Sequence, residues 1–315
     1  MAELVASIAI CTLNRADSLA RTLQSLCEME CGSPAGFEVV IVDNGSTDHT
    51  GDVCRTFGAR LPIRYVIEER RGLSNARNRA VHEARGDYIC WTDDDVTVDR
   101  GWLRAYLTSF AKYPEAAFFG GRIVPVLEEP TVRWFEQNFR GPPLRYLVAL
   151  RDRTVEEALR DDGYMPFGAN YAVRMDAQRR FPYDPDLGVA PNRNRVGEES
   201  AVIKRILGVG LTGYWVPGAQ VFHHISRDRQ SERYVARYFR AVGETQAYLA
   251  ASADGRSIFG APPWVWRWYV GRLLAYYWAR VLRDPKVWLL RLRDLGYIQG
   301  QLEYHLRERR KVRAR

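Results

Sequence analysis

Cysteine is scarce here: five residues in 315, an odd number with no C-x-x-C pair, which excludes a disulfide-stapled scaffold and points to reduced thiols in the cytosol. Histidine is equally scarce, with only His49, His82, His223, His224 and His305. No stretch approaches the roughly 20 uninterrupted apolar residues that a bilayer span needs. An apolar strand expected almost directly after Met1 leaves no signal peptide or transit segment, so a cytoplasmic protein is expected. There is no G-x-x-x-x-G-K-[ST] and no strand-linked G-x-G-x-x-G, and phosphates must be recognised by something other than a P-loop or dinucleotide loop. Internal repeats and low-complexity tracts are also missing.

What is present is acid concentrated in one place. Trp91-Thr92-Asp93-Asp94-Asp95-Val96 puts three consecutive carboxylates after the short apolar segment Tyr88-Ile89-Cys90-Trp91. Three like charges in a row call for a cation, and oxygen ligands suit a hard divalent ion, Mg²⁺ or Mn²⁺, shared with substrate phosphates. A solvated acidic turn is the plainer alternative.

The surroundings favour the metal. Val5 to Ile10 reads as a buried strand followed by Cys11-Thr12-Leu13-Asn14-Arg15 and a helical pattern through Leu19, Leu23 and Leu26. A second strand, Phe37 to Val42, meets the polar turn Asp43-Asn44-Gly45-Ser46-Thr47-Asp48, and a third, Ile63 to Ile67, precedes a helix. This βαβα series predicts an α/β fold with a largely parallel sheet and helices on both faces. Ligands of such sheets bind at the carboxyl ends of the strands, where Asn14, Asp43 and the three aspartates fall.

Five segments in order resemble the family 2 glycosyltransferases, enzymes of the GT-A fold that move a sugar from a nucleotide-diphosphate donor to an acceptor hydroxyl. Ile10-Cys11-Thr12-Leu13-Asn14-Arg15 resembles their first nucleotide-binding loop, and Val42-Asp43-Asn44-Gly45-Ser46-Thr47-Asp48 their V-D-[ND]-x-S-x-D segment. Gly72-Leu73-Ser74-Asn75-Ala76-Arg77-Asn78 resembles their G-x-x-x-A-R-N segment, Asp93-Asp94-Asp95 fills the D-x-D motif, and Gly197-Glu198-Glu199 stands where Glu-Asp is common. The resemblance covers roughly the first 230 residues. It implies a mixed, mostly parallel GT-A sheet, with Thr12, Asn14, Arg15, Asp43, Arg77, Asp93 and Asp94 at the donor and Asp95 on the metal. His223, after an apolar strand ending at Phe222, matches a histidine that reaches the metal or diphosphate. Phe167-Gly168-Ala169-Asn170-Tyr171-Ala172-Val173-Arg174 resembles the G-[AGC]-N-x-x-x-R strand, which places Gly168 and Asn170 near the donor sugar.

The chemistry asks for the same parts. A departing nucleotide diphosphate needs charge neutralisation, which a divalent ion supplies. The incoming hydroxyl needs a general base on the opposite face of the sugar. Glu199 is the first candidate and Glu198 the second, while an acidic first turn of a helix beginning near Ser200 is the structural alternative. A single displacement inverts the anomeric centre, and a UDP-sugar is the expected donor. Arg227, Arg229 and Arg233 would either cover the diphosphate or form an exposed basic loop. Trp134, Phe135 and Trp215 would serve as sugar or lipid platforms, or as core.

From Ala261-Pro262-Pro263 onward the composition changes. Residues 264–315 hold 13 Lys+Arg against 4 Asp+Glu, a net +9, so the remainder of a chain of net +8 sums to −1. Two domains are expected: residues 1–256, catalytic, and residues 257–315, a basic, Trp-rich helical appendage. Such a helix suits the surface of an anionic membrane, where a glycan or lipid-linked acceptor would be met, or packs against protein. Two further readings stand beside transfer: an inactive family member that only binds nucleotide, and a basic nucleic-acid-associated protein, for which no RNP, zinc or helix-turn-helix signature is present.

Overall fold

The computed structural model describes residues 4–30, 36–161, 163–191, 193–250, 258–282 and 284–313. The boundary expected at 256/257 lies outside the described residues. Two compact units are formed: Met1–Val126 with Ala149–Pro191 and Glu198–His224, and Leu127–Val148 with Asn192–Gly197 and Ile225–Arg315.

In chain order the elements are β1 (Ala6–Thr12), α1 (Ala16–Cys27), β2 (Phe37–Asp43), α2 (Thr50–Phe57), β3 (Ile63–Ile67), α3 (Leu73–Glu83), β4 (Tyr88–Thr92) and β5 (Val96–Val98). Next come α4 (Trp102–Lys112), β6 (Phe118–Leu127), the single turns α5 (Arg133–Glu136) and α6 (Leu144–Leu147), β7 (Glu157–Leu159), β8 (Asn170–Arg174) and α7 (Met175–Arg180). The two-residue strands β9 (Val189–Ala190) and β10 (Arg193–Asn194) precede α8 (Glu198–Gly208), β11 (Gly213–Ile225), α9 (Glu232–Leu249), α10 (Pro263–Val281) and α11 (Pro285–Arg313).

The sheet runs β3-β2-β1-β4-β8-β6-β11-β5, with β7 on β11. Strands β1 to β4, each leading toward a crossover or loop at its carboxyl end, pair in parallel. Beyond β4 the pairing turns antiparallel, β8 against both β4 and β6, and β11 against β5 and β7. The mixed GT-A sheet is present. The parallel character inferred from the βαβα series is confined to its first half.

Why the first strands read as unbroken apolar runs is visible in their packing. Ile8, Ile10, Val39 and Ile41 join Leu19, Leu23 and Trp102 on one face, while Ala9, Val40 and Val42 join Ala76, Ala80 and Trp91 on the other. Alternate side chains enter opposite cores, so a doubly covered strand needs apolar residues at every position. Each fully buried large side chain contributes roughly 1.5–3 kcal/mol, which fixes the sheet as the rigid base of the loops at its carboxyl edge.

In the second unit, α9 and α11 approach so closely that glycine is required. A Cβ on Gly243 would stand 1.9 Å from the Tyr297 carbonyl oxygen, and one on Gly300 would stand 1.9 Å from that of Arg240. The buried Glu244 carboxylate is held by Arg195 at 3.1 Å and by Arg307 at 2.8 Å. Ala261, Val265, Ile298 and Leu302 join α10 to α11. The other side of α10 is apolar and open: Trp264, Trp268, Leu274, Tyr277, Trp278, Val281 and Leu282 are each half exposed or more. Trp288, on α11, is buried and edge-on to Trp134 at 5.1 Å. Among the described residues no helix is long and apolar enough to cross a membrane.

Candidate active site

The residues of the five motif segments, Gly197 apart, belong with Gly168, Asn170 and His223 to the first unit. They gather where β1, β2 and β4 end. The turn after β2 is locked by its own polar side chains: Asp43 Oδ1 accepts from the Ser46 amide at 2.7 Å and Oδ2 from the Tyr65 hydroxyl at 2.5 Å. Asn14 takes a left-handed φ of 53°, which asparagine tolerates, and its Oδ1 accepts from the Thr47 amide at 2.7 Å. The first two loops are therefore tied into one wall.

The aspartates after β4 have divided partners. Asp94 is buried, accepting from Thr12 Oγ1 at 2.8 Å and pairing with Arg15 at 2.7 Å. The same Arg15 nitrogen lies 3.1 Å from Asp95 Oδ2. On the other side of Asp95, His223 Nε2 stands 3.6 Å from Oδ1. His223 and His224 lie within β11 rather than after it, so they point to opposite faces; His224 instead meets the Thr97 hydroxyl at 3.0 Å. Asp93 keeps a side chain 40% exposed and approaches Arg77 at 3.8 Å.

Arg77 is the hinge of the arrangement. It is buried, with Nη1 3.0 Å from Glu198 and 3.9 Å from Glu199, while Nη2 faces Asp93. Its guanidinium rests over Trp91 and Tyr183, at 5.6 and 5.5 Å from the ring centroids. Gly168 makes room for it: a Cβ there would lie 2.7 Å from Nη2. One cation thus joins the metal-side acids to the first turn of α8, which is also an acidic helix start as the structural alternative had it.

Burial, reinforced by Glu198, raises the Glu199 carboxyl to about 7, against the pull of Arg77 and of amides that include Gly168. Asp94 likewise rises to about 7 through burial, with Asp95 and Asp93 adding to the rise and Arg15 and Thr12 opposing it. Cys11 also rises, to about 12, again chiefly through burial. Its thiol stays protonated, so it offers no nucleophile at neutral pH.

Asn170 is placed otherwise than expected. It is fully buried; its Oδ1 accepts from Trp102 Nε1 and the Tyr106 hydroxyl, both at 2.8 Å, and its Nδ2 donates to the Arg122 and Ala219 carbonyls. With all four positions taken it braces the sheet and has nothing left for a sugar. Trp215 and Phe135 are core, and Trp134 packs on Trp288. Arg227, in the second unit, donates its amide to Glu128 at 2.8 Å, and Arg229 lies over Tyr234. The cradle of Trp91, Tyr171 and Tyr183 under Arg77 carries no sequence signal, since isolated aromatics read as core.

The donor set suits a hard divalent ion. Asp95, in the turn between β4 and β5, and His223, on β11, approach one another, with Asp93 beside them. Among the described residues no three His, Cys, Asp or Glu side chains are arranged to hold an ion by themselves. A pair of protein ligands completed by phosphate and water is the usual Mg²⁺ pattern.

A mixed sheet of this order, with paired acids at its carboxyl edge, is a glycosyltransferase fold of the GT-A type. It superposes on the Pyrobaculum calidifontis mannosyltransferase PcManGT, solved with GDP-Man and Mn²⁺, at a TM-score of 0.63 and 18% identity over 96% of this chain and 87% of that one. Staphylococcus aureus TarS residues 1–349 with UDP match at 0.57 and 14% identity, over 96% and 91%. The chain belongs to glycosyl transferase family 2, which matches residues 7–171. The glucosyl-dolichyl phosphate glucuronosyltransferase of Haloferax volcanii is 24% identical over 204 residues, 64% of this chain and 62% of that protein. Uncharacterized glycosyltransferase YfnE of Bacillus subtilis is 38% identical over 92 residues, 29% and 23%. The chain spans less than two thirds of the length of these two curated relatives.

Proposed function

We propose that this protein transfers a sugar from a nucleoside-diphosphate donor, a UDP-sugar, to a hydroxyl of a glycan or lipid-linked acceptor in cell-envelope glycan synthesis, with inversion. The Arg77 bridge carries this reading. It brings Asp93 within 3.8 Å and Glu198 within 3.0 Å of one guanidinium, although the two acids are separated by about a hundred residues.

Inverting transfer needs that juxtaposition: leaving-group chemistry on one side, proton removal on the other. A divalent ion held by Asp95 and His223 would act as a Lewis acid on the departing diphosphate. Asp43 and the 43–48 turn would hold the nucleotide, and Arg15 and Arg77 would balance its charge. Glu199 is the base, because a carboxyl near 7 takes a proton at physiological pH and is not consumed by a close ion pair. Glu198, 3.0 Å from Arg77, positions the guanidinium instead. Gly168, beside both Arg77 and Glu199, borders the donor-sugar space.

Asp95→Ala is expected to abolish Mn²⁺-dependent binding of UDP, measured by titration calorimetry, while circular dichroism stays unchanged. Undiminished affinity would remove the metal from this reading. Thermal stabilisation across UDP-, GDP- and dTDP-sugars with Mn²⁺ identifies the donor, since a bound ligand raises stability by mass action.

The open apolar side of α10 and the net +9 of residues 264–315 support a peripheral seat on the cytoplasmic face of a membrane. The name of the Haloferax relative, which carries a dolichyl phosphate, is in keeping with acceptors delivered there.

A further inference from the structure

Between α10 and α11 lies a cavity of about 240 Å³ lined by Trp264, Trp268, Arg272, Asp294, Tyr297, Ile298 and Gln301. None of these residues takes part in the chemistry described above. The cavity is smaller than the roughly 300–1,000 Å³ of drug-sized sites, so it suits one small ring.

Its lining is specific. Two indoles, half exposed, supply flat apolar walls at one end. Arg272 lies over the Trp268 ring at 4.9 Å and pairs with Asp294 at 3.2 Å. Asp294 is also held by Arg293 at 2.7 Å, so neither lining charge is uncompensated. Gln301 is 93% buried, and its Oε1 has no hydrogen-bond partner among the described residues. A buried amide oxygen without a donor is costly, and native proteins leave few of them unless a ligand or water completes the bond. The Gln301 side chain also bonds to the Tyr297 hydroxyl.

We propose that this cavity binds an uncharged sugar ring. The C–H face of a pyranose stacks on Trp268 or Trp264, and its hydroxyls donate to Gln301 Oε1 and bridge to the Arg272–Asp294 pair. Indole walls with a few convergent polar groups are what an amphipathic ring with one apolar face requires. A phosphate or carboxylate would find Arg272 already paired with Asp294. The sugar arrives either on a soluble glycan or as the headgroup of a glycolipid, because Trp264 and Trp268 also belong to the open face of α10.

Full-length protein without nucleotide or metal is titrated with the methyl glycosides of glucose, galactose, mannose and N-acetylglucosamine, followed by saturation-transfer NMR and tryptophan fluorescence. A second arm uses phosphatidylcholine vesicles carrying a neutral monoglycosyl lipid. At least one sugar is expected to bind, and Trp268→Ala and Gln301→Leu should each weaken it by roughly tenfold, the loss of one good contact. Asp95→Ala should leave it unchanged. Gln301→Leu removes an unpaired acceptor together with the bond to Tyr297, so the unliganded protein should lose little thermal stability while losing the sugar, whereas a purely structural glutamine would cost stability and leave sugar binding unmoved. Binding in solution assigns a soluble glycan, and binding to glycolipid vesicles alone assigns a membrane headgroup. No binding in either arm, or binding indifferent to both substitutions, overturns the proposal. With no donor present, that outcome leaves the transfer reaction untouched.

Discussion

A buried guanidinium on α3, shared by acids from the turn after β4 and from α8, sets most of the chemistry at the scale of single residues. Because Arg77 lies 3.0 Å from Glu198 but 3.9 Å from Glu199, the two neighbours diverge in role. Glu199→Gln should lower turnover by roughly 10²-fold or more with UDP affinity preserved, the size of general-base loss. Glu198→Gln should instead lower thermal stability, because half of a buried ion pair is removed. The pH dependence follows the raised carboxyls. Glu199 and Asp94, each near 7, bind protons more tightly folded than unfolded, so stability falls as pH rises from about 4.5 through 7. Turnover should rise over the upper part of that window, as Glu199 ionises. Melting curves and rate profiles from pH 5 to 8 check both; a metal-free protein no less stable at pH 8 than at pH 6 contradicts the first. Much of this site is legible in the residues, since Asp43, Arg77, the three aspartates and Glu198-Glu199 each stand in a short recognisable segment. Asn170 was not, because a polar side chain beside a glycine reads alike whether it faces a ligand or, as here, Trp102 and Tyr106.

Elements show where local pattern suffices. Strands β1 and β2 are legible because both faces are covered, which forces continuous apolar runs ended by polar turns. The antiparallel half of the sheet is not, since whether β8 runs against β4 is decided by pairing between distant segments. Helix α9 has an apolar face, with Val235, Phe239, Ala241 and Ala247 buried, but its close approach to α11 depends on glycines, which an apolar stripe does not reveal. Gly300→Ala tests this. Alanine is the better helix former by about 1 kcal/mol, yet its Cβ would meet the Arg240 carbonyl at 1.9 Å, a main-chain atom that cannot swing aside. A net loss of about 1–3 kcal/mol is expected, as for overpacking, read as a lower Tm; an unchanged Tm would show that the helices separate freely.

For the whole molecule, charge is partitioned: net +9 over residues 264–315 and −1 over the rest. Each Lys or Arg near an anionic surface contributes about 1 kcal/mol, and indoles favour the headgroup zone. Deleting the chain from Pro263 would also strip α11 from α9, so the membrane seat is better tested by Leu274→Glu with Trp278→Glu, both on open surface. Sedimentation with phosphatidylglycerol vesicles at low salt should show wild type bound and the double variant released, with equal melting temperatures; wild-type protein remaining in solution would end the membrane reading. The crevice holds the opposite excess. Among the described residues, Asp93, Asp94, Asp95, Glu198 and Glu199 crowd around two permanent cations, Arg15 and Arg77. Such an inventory cannot stay fully ionised at neutral pH, and the raised Asp94 and Glu199 carboxyls show where protons are retained. Arrival of Mn²⁺ with UDP should therefore expel protons into the solvent, and the heat of binding will depend on the buffer that receives them. Titration in phosphate and in Tris, whose ionisation heats differ widely, counts those protons directly, and identical heats would mean that the acids are already ionised before the donor arrives.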